Sequence, residues 1–387
     1  MNTNNLPKNK GRLFGHLLLA VLFVLSCFSS TAQSITTTAV PYLRFAPDAI
    51  SSSMGNAGLT LSPDEYSIFH NNAKALFSDK QFALGLSHMG YSTGSGSNVK
   101  GSYFMSMAGY KKSEDDKDLF SFGIRYISHG GMELSSSMGD RLGTFNPYDF
   151  DLSFGYAHKI SNTLGIGVTM RGVFSNMASG VSASTGYQFS TGVALAGDVS
   201  LMYNQQFVNG NFLRGAIQFS NLSSKITYVN NAIGKDFIPT TLNVGLGYVF
   251  LFDDENDLGF EVKYSKLMIP AAPNYTGDFS QDSAAITDFR NKDVLRAWGE
   301  SFNGANGLST NYSLSFGLQY RYMNFLHIRG GYFMDKPSNV QPLNYFTVGA
   351  GVGFGRFGAQ LAYQVPTGGT AANIPMMQRF KLGISFN

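Results

Sequence analysis

The chain has one cysteine, Cys27, and it falls inside the only sustained apolar run, 13–28. With no second thiol there is no disulfide framework, and removal of that run would leave no thiol chemistry at all. The run is too short to be read as a transmembrane helix. Lys8, Lys10 and Arg12 precede it, and Ser30-Thr31-Ala32 supplies small residues after it. That layout predicts a secretory signal peptide over residues 1–32. Val24-Leu25-Ser26-Cys27 also loosely resembles a lipoprotein signal, but Leu25 fits poorly before the small residue, and an Ala-type site follows.

Charge is scarce as well. Charged residues are 14% of the chain, against about 25% in an ordinary soluble domain. The hydrophobic residues, 43%, are diluted by 44 glycines rather than gathered into spans, which argues against a bundle of membrane helices. Cleavage after residue 32 removes three of the 28 cations and no anion, so the rest balances the 25 Asp and Glu. A neutral chain argues against nucleic acid as a partner.

What is present is alternation. Leu258, Phe260, Val262 and Tyr264 fall on one face of an extended segment, with Gly259, Glu261, Lys263 and Ser265 on the other. Tyr312, Leu314, Phe316, Leu318 and Tyr320 stand in the same way against Ser313, Ser315, Gly317, Gln319 and Arg321. A period of two means a strand between two environments. A soluble sandwich would put Lys, Glu and Thr on its outer face. Here the minor face is glycine and small polar residues, and the greasy face carries aromatics near its ends, as when lipid lies outside and a wet lumen inside. Backbone in hydrocarbon must be fully paired, so the sheet has to close. The predicted fold is therefore all-β, a transmembrane antiparallel barrel over 80–387.

Fourteen segments fit, at 80–91, 99–112, 118–129, 148–160, 164–176, 191–204, 211–222, 240–252, 257–268, 310–322, 325–335, 343–354, 357–366 and 376–387. Connections after even-numbered segments are short and those after odd ones are generally long. Short turns belong in the periplasm and long loops outside the cell, so both termini are expected in the periplasm of a bacterial outer membrane. The segment 33–79 alternates poorly. A barrel this wide is not filled by its own side chains, and 33–79 is the candidate periplasmic or lumenal plug, with Met54, Gly55, Asn56 and Gly58 in its most compact stretch.

Patterns that could carry chemistry have simpler readings. Gly349-Ala350-Gly351-Val352-Gly353 puts glycine at every second residue of a strand, with no helix after it to make a phosphate loop. The six histidines, at 16, 70, 88, 129, 158 and 327, are dispersed, and Asp253-Asp254-Glu255-Asn256-Asp257 lacks the spacing of a calcium loop. No G-x-S-x-G frames a serine. We expect no catalytic residue, metal or cofactor, and no enzyme. The long connection 269–309 is the informative one. Asp293, Val294, Ala297, Trp298 and Phe302 have helical spacing with an acidic start, and Trp298 is the only tryptophan. Val294, Trp298 and Phe302 are candidate partner-binding residues; a helix folding back to cap its own barrel is the alternative.

Ala46-Pro47-Asp48, Ser53-Met54-Gly55-Asn56-Ala57-Gly58 and Ser62-Pro63-Asp64 resemble the N-terminal signature of the PorV family, the outer-membrane barrels of the type IX secretion system. Arg329-Gly330-Gly331-Tyr332-Phe333, Tyr345-Phe346-Thr347-Val348-Gly349 and Tyr363-Gln364-Val365-Pro366 resemble the same family. Where that family has aromatic-Asn-Pro-Ala, this chain reads Phe69-His70-Asn71-Asn72-Ala73. The missing proline predicts a less rigid exit from the N-terminal segment. The resemblance implies a barrel similar to the FadL transporters. It implies partners too: a large outer-membrane translocon barrel, the C-terminal signal domain of secreted cargo, and a surface attachment complex, with outer-membrane lipid around the wall. The alternative function is a FadL-like channel for hydrophobic small molecules.

Overall fold

The structure is a computed structural model. It describes residues 38–90, 102–135, 141–177, 179, 189–229, 234–270, 273, 276–303, 310–323, 325–337, 342–367 and 380–386. The signal-peptide expectation lies outside these residues.

Alternation becomes strands: β1 Phe82–Gly90, β2 Tyr103–Lys112, β3 Asp118–Ser128, β4 Met132–Ser135, β5 Arg141–Phe145, β6 Tyr148–Lys159, β7 Leu164–Asn176 and β8 Gly192–Gln206. They continue with β9 Phe212–Ser223, β10 Thr241–Leu251, β11 Asn256–Leu267, β12 Tyr312–Tyr322, β13 Leu326–Lys336, β14 Asn344–Phe354, β15 Phe357–Pro366 and β16 Phe380–Phe386. Fourteen of these form one closed antiparallel ring, and β4 with β5 makes a separate hairpin in the β3–β6 connection. That hairpin was not anticipated. Closure comes from β1 against β16, where Leu84 faces Phe386 and His88 faces Leu382. Every ladder therefore has a partner, which a sheet in hydrocarbon requires.

The two faces divide as their side chains dictate. Phe120, Leu195 and Leu246 point outward and are more than 60% exposed, while Gly, Ser and the charged residues Arg125, Asp151, Arg171 and Glu261 point inward and are buried. Lipid solvates the first set; lumenal contacts satisfy the second. Among the described residues no helix is long and apolar enough to cross a membrane. The crossing is made by strands.

Short turns and long loops fall at opposite ends of the ring, in the expected classes. At the two-residue turn after β14, Gly355 has φ 58°, a left-handed backbone that glycine adopts at little cost. In the long connection, helix Phe279–Asn291 was not anticipated, whereas helix Val294–Glu300 starts at Asp293, whose side chain accepts from Leu295 N and Arg296 N.

The segment before β1 is not a strand. It has short helical turns at Ala49–Ser52 and Ser67–His70 and 3-10 turns at Pro41–Arg44 and Asn72–Phe77. Residues 38–45 pack at the long-loop end of the ring, and 72–77 at the short-turn end beside the start of β1. Phe386 is also at the short-turn end, opposite Phe357. Residue 38 and Phe386, the two ends of the described chain, therefore lie at opposite ends of the barrel; the termini themselves lie outside the described residues. The chain crosses the lumen before its first strand begins.

Candidate functional site

The lumen is layered. At the long-loop end Val40, Tyr42 and Leu43 pack with Met89, Phe104, Ile127, Val173 and Ala194. At the short-turn end Ala73, Ala75 and Leu76 pack with Ala83, Tyr110, Leu119, Ala157 and Met202. Each large apolar side chain so buried contributes about 1.5–3 kcal/mol, which fixes both ends of the segment by side-chain packing. Between them the contacts are polar.

The middle layer centres on Glu261 of β11. Its carboxylate accepts from four consecutive backbone N–H groups of the segment, Gly58, Leu59, Thr60 and Leu61, at 2.7–2.9 Å. One strand carboxylate thus satisfies a whole irregular turn whose amides have no ladder of their own. Lysines do the converse for carbonyls. Lys263 donates to Asn56 O, and Lys381 of β16 to Ala46 O and Ser52 Oγ. Within the segment Lys74 donates to Gly58 O at 2.9 Å and pairs with Asp64 at 3.1 Å. Thr347 of β14 accepts from Gly55 N at 2.8 Å and donates to Ser53 O at 2.9 Å.

Met54 and Gly55 meet the wall backbone to backbone. A Cβ on Gly331 would lie 2.2 Å from the Met54 carbonyl carbon, and one on Gly55, which has φ +64°, 2.5 Å from Tyr332 O. Glycine on both sides lets the two main chains touch, and the left-handed backbone adds a second reason for Gly55. Asn56 and Gly58 bring the segment's carbonyls and amides to Lys263 and Glu261. The structure thus brings Met54, Gly55, Asn56 and Gly58 together against β11–β14.

The exit from the segment is held by side chains. Asn71 is fully buried; its Nδ2 donates to Leu59 O at 3.2 Å and its Oδ1 accepts from Ala73 N at 3.1 Å. Asn72 accepts from Ser121 at 2.7 Å and donates to Val168 O at 3.3 Å. These bonds hold the exit at Phe69-His70-Asn71-Asn72-Ala73, where the chain has no proline.

Three histidines make Asp pairs that their dispersal in sequence hid: His70 with Asp48 at 2.8 Å, His129 with Asp149 at 2.9 Å and His158 with Asp118 at 2.8 Å. Burial opposes ionisation of Asp48, but the hydrogen bond and charge of His70, with two bonds from Ser51, hold its carboxyl well below the usual carboxylate range. Ser51 Oγ bonds Asp48 directly at 2.5 Å. The carboxylate therefore sits between hydroxyl and imidazole. A nucleophile would need the imidazole in the middle. Glu65 is the opposite case: burial, then the charge of Asp64, pushes its carboxyl up to about 8, and its Oε1 has no hydrogen-bond partner. Across the inner wall Arg125 pairs with Asp151 and Arg171 with Asp198, each at 2.8 Å, and the Arg125 guanidinium lies 4.7 Å from the Phe69 ring centroid. Among the described residues no group of three or more His, Cys, Asp or Glu is placed to hold a metal ion.

Between segment and wall remains a cavity of about 150 Å³. In the long connection, Val294 rests on the cluster of Phe237, Leu267, Ile269 and Ala297 at the barrel rim. Val294, Trp298 and Phe302 are half-buried. The free apolar side chains of these helices are Phe279, 88% exposed, and Leu295, 70% exposed. Sequence spacing had singled out neither.

In fold the chain is similar to the toluene transporter TodX of Pseudomonas putida, with 13% identity over 88% of this chain and 97% of that one and a TM-score of 0.50. It is similar also to the toluene transporter TbuX of Ralstonia pickettii, with 14% identity, the same coverage and a TM-score of 0.51. At such identities the likeness concerns the fold alone. No curated protein matches the sequence. The profile of the family described as "Type IX secretion system protein PorV" matches residues 28–274, a span that includes the whole segment anchored by Glu261, Thr347 and Lys381. More than half of the chain is matched, and it belongs to the PorV family of type IX secretion outer-membrane barrels.

Proposed function

We propose that this barrel acts in type IX secretion as a docking protein rather than a conduit. It binds the large translocon barrel, takes up secreted cargo by its C-terminal signal domain, and passes that cargo to the surface attachment complex. The observation that carries the docking role is the lumenal segment with its two apolar layers, one at each end of the ring. A polypeptide would have to displace all of it to pass. The segment 33–79 is accordingly assigned as a plug, with Met54, Gly55, Asn56 and Gly58 as its seat on the wall.

The long-loop end is assigned to the cell exterior and the short turns, with the C-terminus, to the periplasm. Residues 38–45 then lie toward the exterior. Partner contact is assigned to the segment 279–302, with Leu295 and Phe279 as its free apolar anchors, Val294 supporting them from the rim, and the half-buried Trp298 and Phe302 beside them.

Affinity purification of the protein from detergent-solubilised membranes tests the proposal. Recovery of the translocon barrel and exported cargo is expected; recovery of neither would count decisively against it. A channel for neutral hydrophobic molecules has the fold likeness in its favour. Its weakness is the lumen, whose cavity places four cationic side chains, Arg44, Arg125, Arg171 and Lys263, beside its apolar lining.

A further inference from the structure

The lumenal cavity is lined by four cationic side chains, Arg44, Arg125, Arg171 and Lys263, against one carboxylate, Asp335. The carboxylates that balance Arg125 and Arg171 also point inward but do not reach the cavity surface. Asp151 holds Arg125 and Asp198 holds Arg171, each at 2.8 Å, and neither lines the cavity. Glu261 neighbours Lys263 on the inner face of β11, but it is turned onto the amides of residues 58–61 and is also absent from the lining. His70 lines the space while its partner Asp48 does not. Each Arg–Asp pair is thus a dipole with its positive end toward the cavity. In an enclosed lumen such dipoles are weakly screened and favour negative charge.

Two of the cations keep donors to spare. Arg44 has one carboxylate partner, Asp335 at 3.3 Å, out of five N–H groups, and Lys263 has one carbonyl partner, Asn56 O, out of three. Beside them Leu43, Phe45 and Tyr345 supply an apolar patch. The volume, about 150 Å³, is that of a cavity known to hold a benzene ring.

We propose that the lumen contains a binding site for a small organic anion, a carboxylate on a ring-sized apolar body, with the carboxylate toward Arg44 and Lys263 and the body against Leu43, Phe45 and Tyr345. A neutral hydrocarbon of the same size would offer those donors no acceptor, and at the buried Lys263 that is costly.

Benzoate and toluene make a matched pair, equal in ring and different in charge. Titration calorimetry on the purified detergent-solubilised protein is expected to give saturable binding of benzoate and none of toluene. Arg44→Gln should weaken benzoate by about tenfold or more, the scale of one charge-assisted hydrogen bond. Asp335→Asn, which deletes the one lining carboxylate, should tighten it. Toluene binding as well as benzoate, no benzoate binding, or an affinity indifferent to both substitutions would each overturn the assignment. The result is separate from the docking proposal, which is read by copurification.

Discussion

Replacing Glu261 by alanine removes the acceptor for four consecutive buried N–H groups and leaves the β11 backbone in its ladder. A buried donor left unpaired costs about 1–3 kcal/mol, so the seat of residues 58–61 should weaken by at least about 4 kcal/mol. That raises the population with the segment undocked by about three orders of magnitude. Glu261→Gln keeps one accepting oxygen but turns an NH2 toward amides that need an acceptor, and should fall between wild type and alanine. Cys27 is the only cysteine in the sequence, so in a Cys27→Ser background Ala57→Cys, at a fully buried position beside this seat, is a clean reporter. Its maleimide labelling should be slow in the wild-type background and much faster with Glu261→Ala, while the barrel keeps its heat-modifiable migration in SDS gels. Equal labelling rates in a barrel that remains folded would refute the view that Glu261 holds the segment.

Glu65 predicts a pH dependence. Its folded-state value near 8 lies above its ordinary 4.5, so the fold favours the neutral carboxyl. Stability is then full below about pH 4.5 and declines as pH rises to about 8, with roughly 3 kcal/mol lost by pH 7. Glu65→Gln should flatten that slope in melts between pH 5 and 8.5, and an unchanged slope would contradict the assignment. Gly331→Ala puts a methyl 2.2 Å from the Met54 carbonyl carbon, whereas at Gly330 the nearest contact is 3.8 Å away. The first should speed labelling at position 57 and the second leave it alone; similar effects from both would argue against a backbone seat. Leu295→Asp with Phe279→Asp should reduce the translocon recovered on copurification without changing the thermal transition of the barrel, and full recovery would move the partner surface elsewhere.

The barrel was legible because lipid and lumen impose a period of two on every strand, and Phe316, Leu318 and Tyr320 carry it without their neighbours. The hairpin β4–β5 was not, since it lies in a connection where no solvent boundary writes a pattern. Helix Val294–Glu300 was visible through its acidic start at Asp293. Helix Phe279–Asn291 has no buried residue, so no apolar stripe marked it. Glu261 and Lys263 were assigned to the inward face from alternation alone, yet nothing in β11 indicates that they receive amides and a carbonyl from about 200 residues earlier in the chain.

The chain by itself determined the alternating strands, their number, and the order of short and long connections, because each depends on a local choice between hydrocarbon and water. Only the tertiary structure decided what occupies the lumen. The course of residues 38–79 follows from single contacts with β11, β14 and β16, between groups far apart in sequence. Which amide meets which carboxylate is settled when the ring closes around them, and no local periodicity records it.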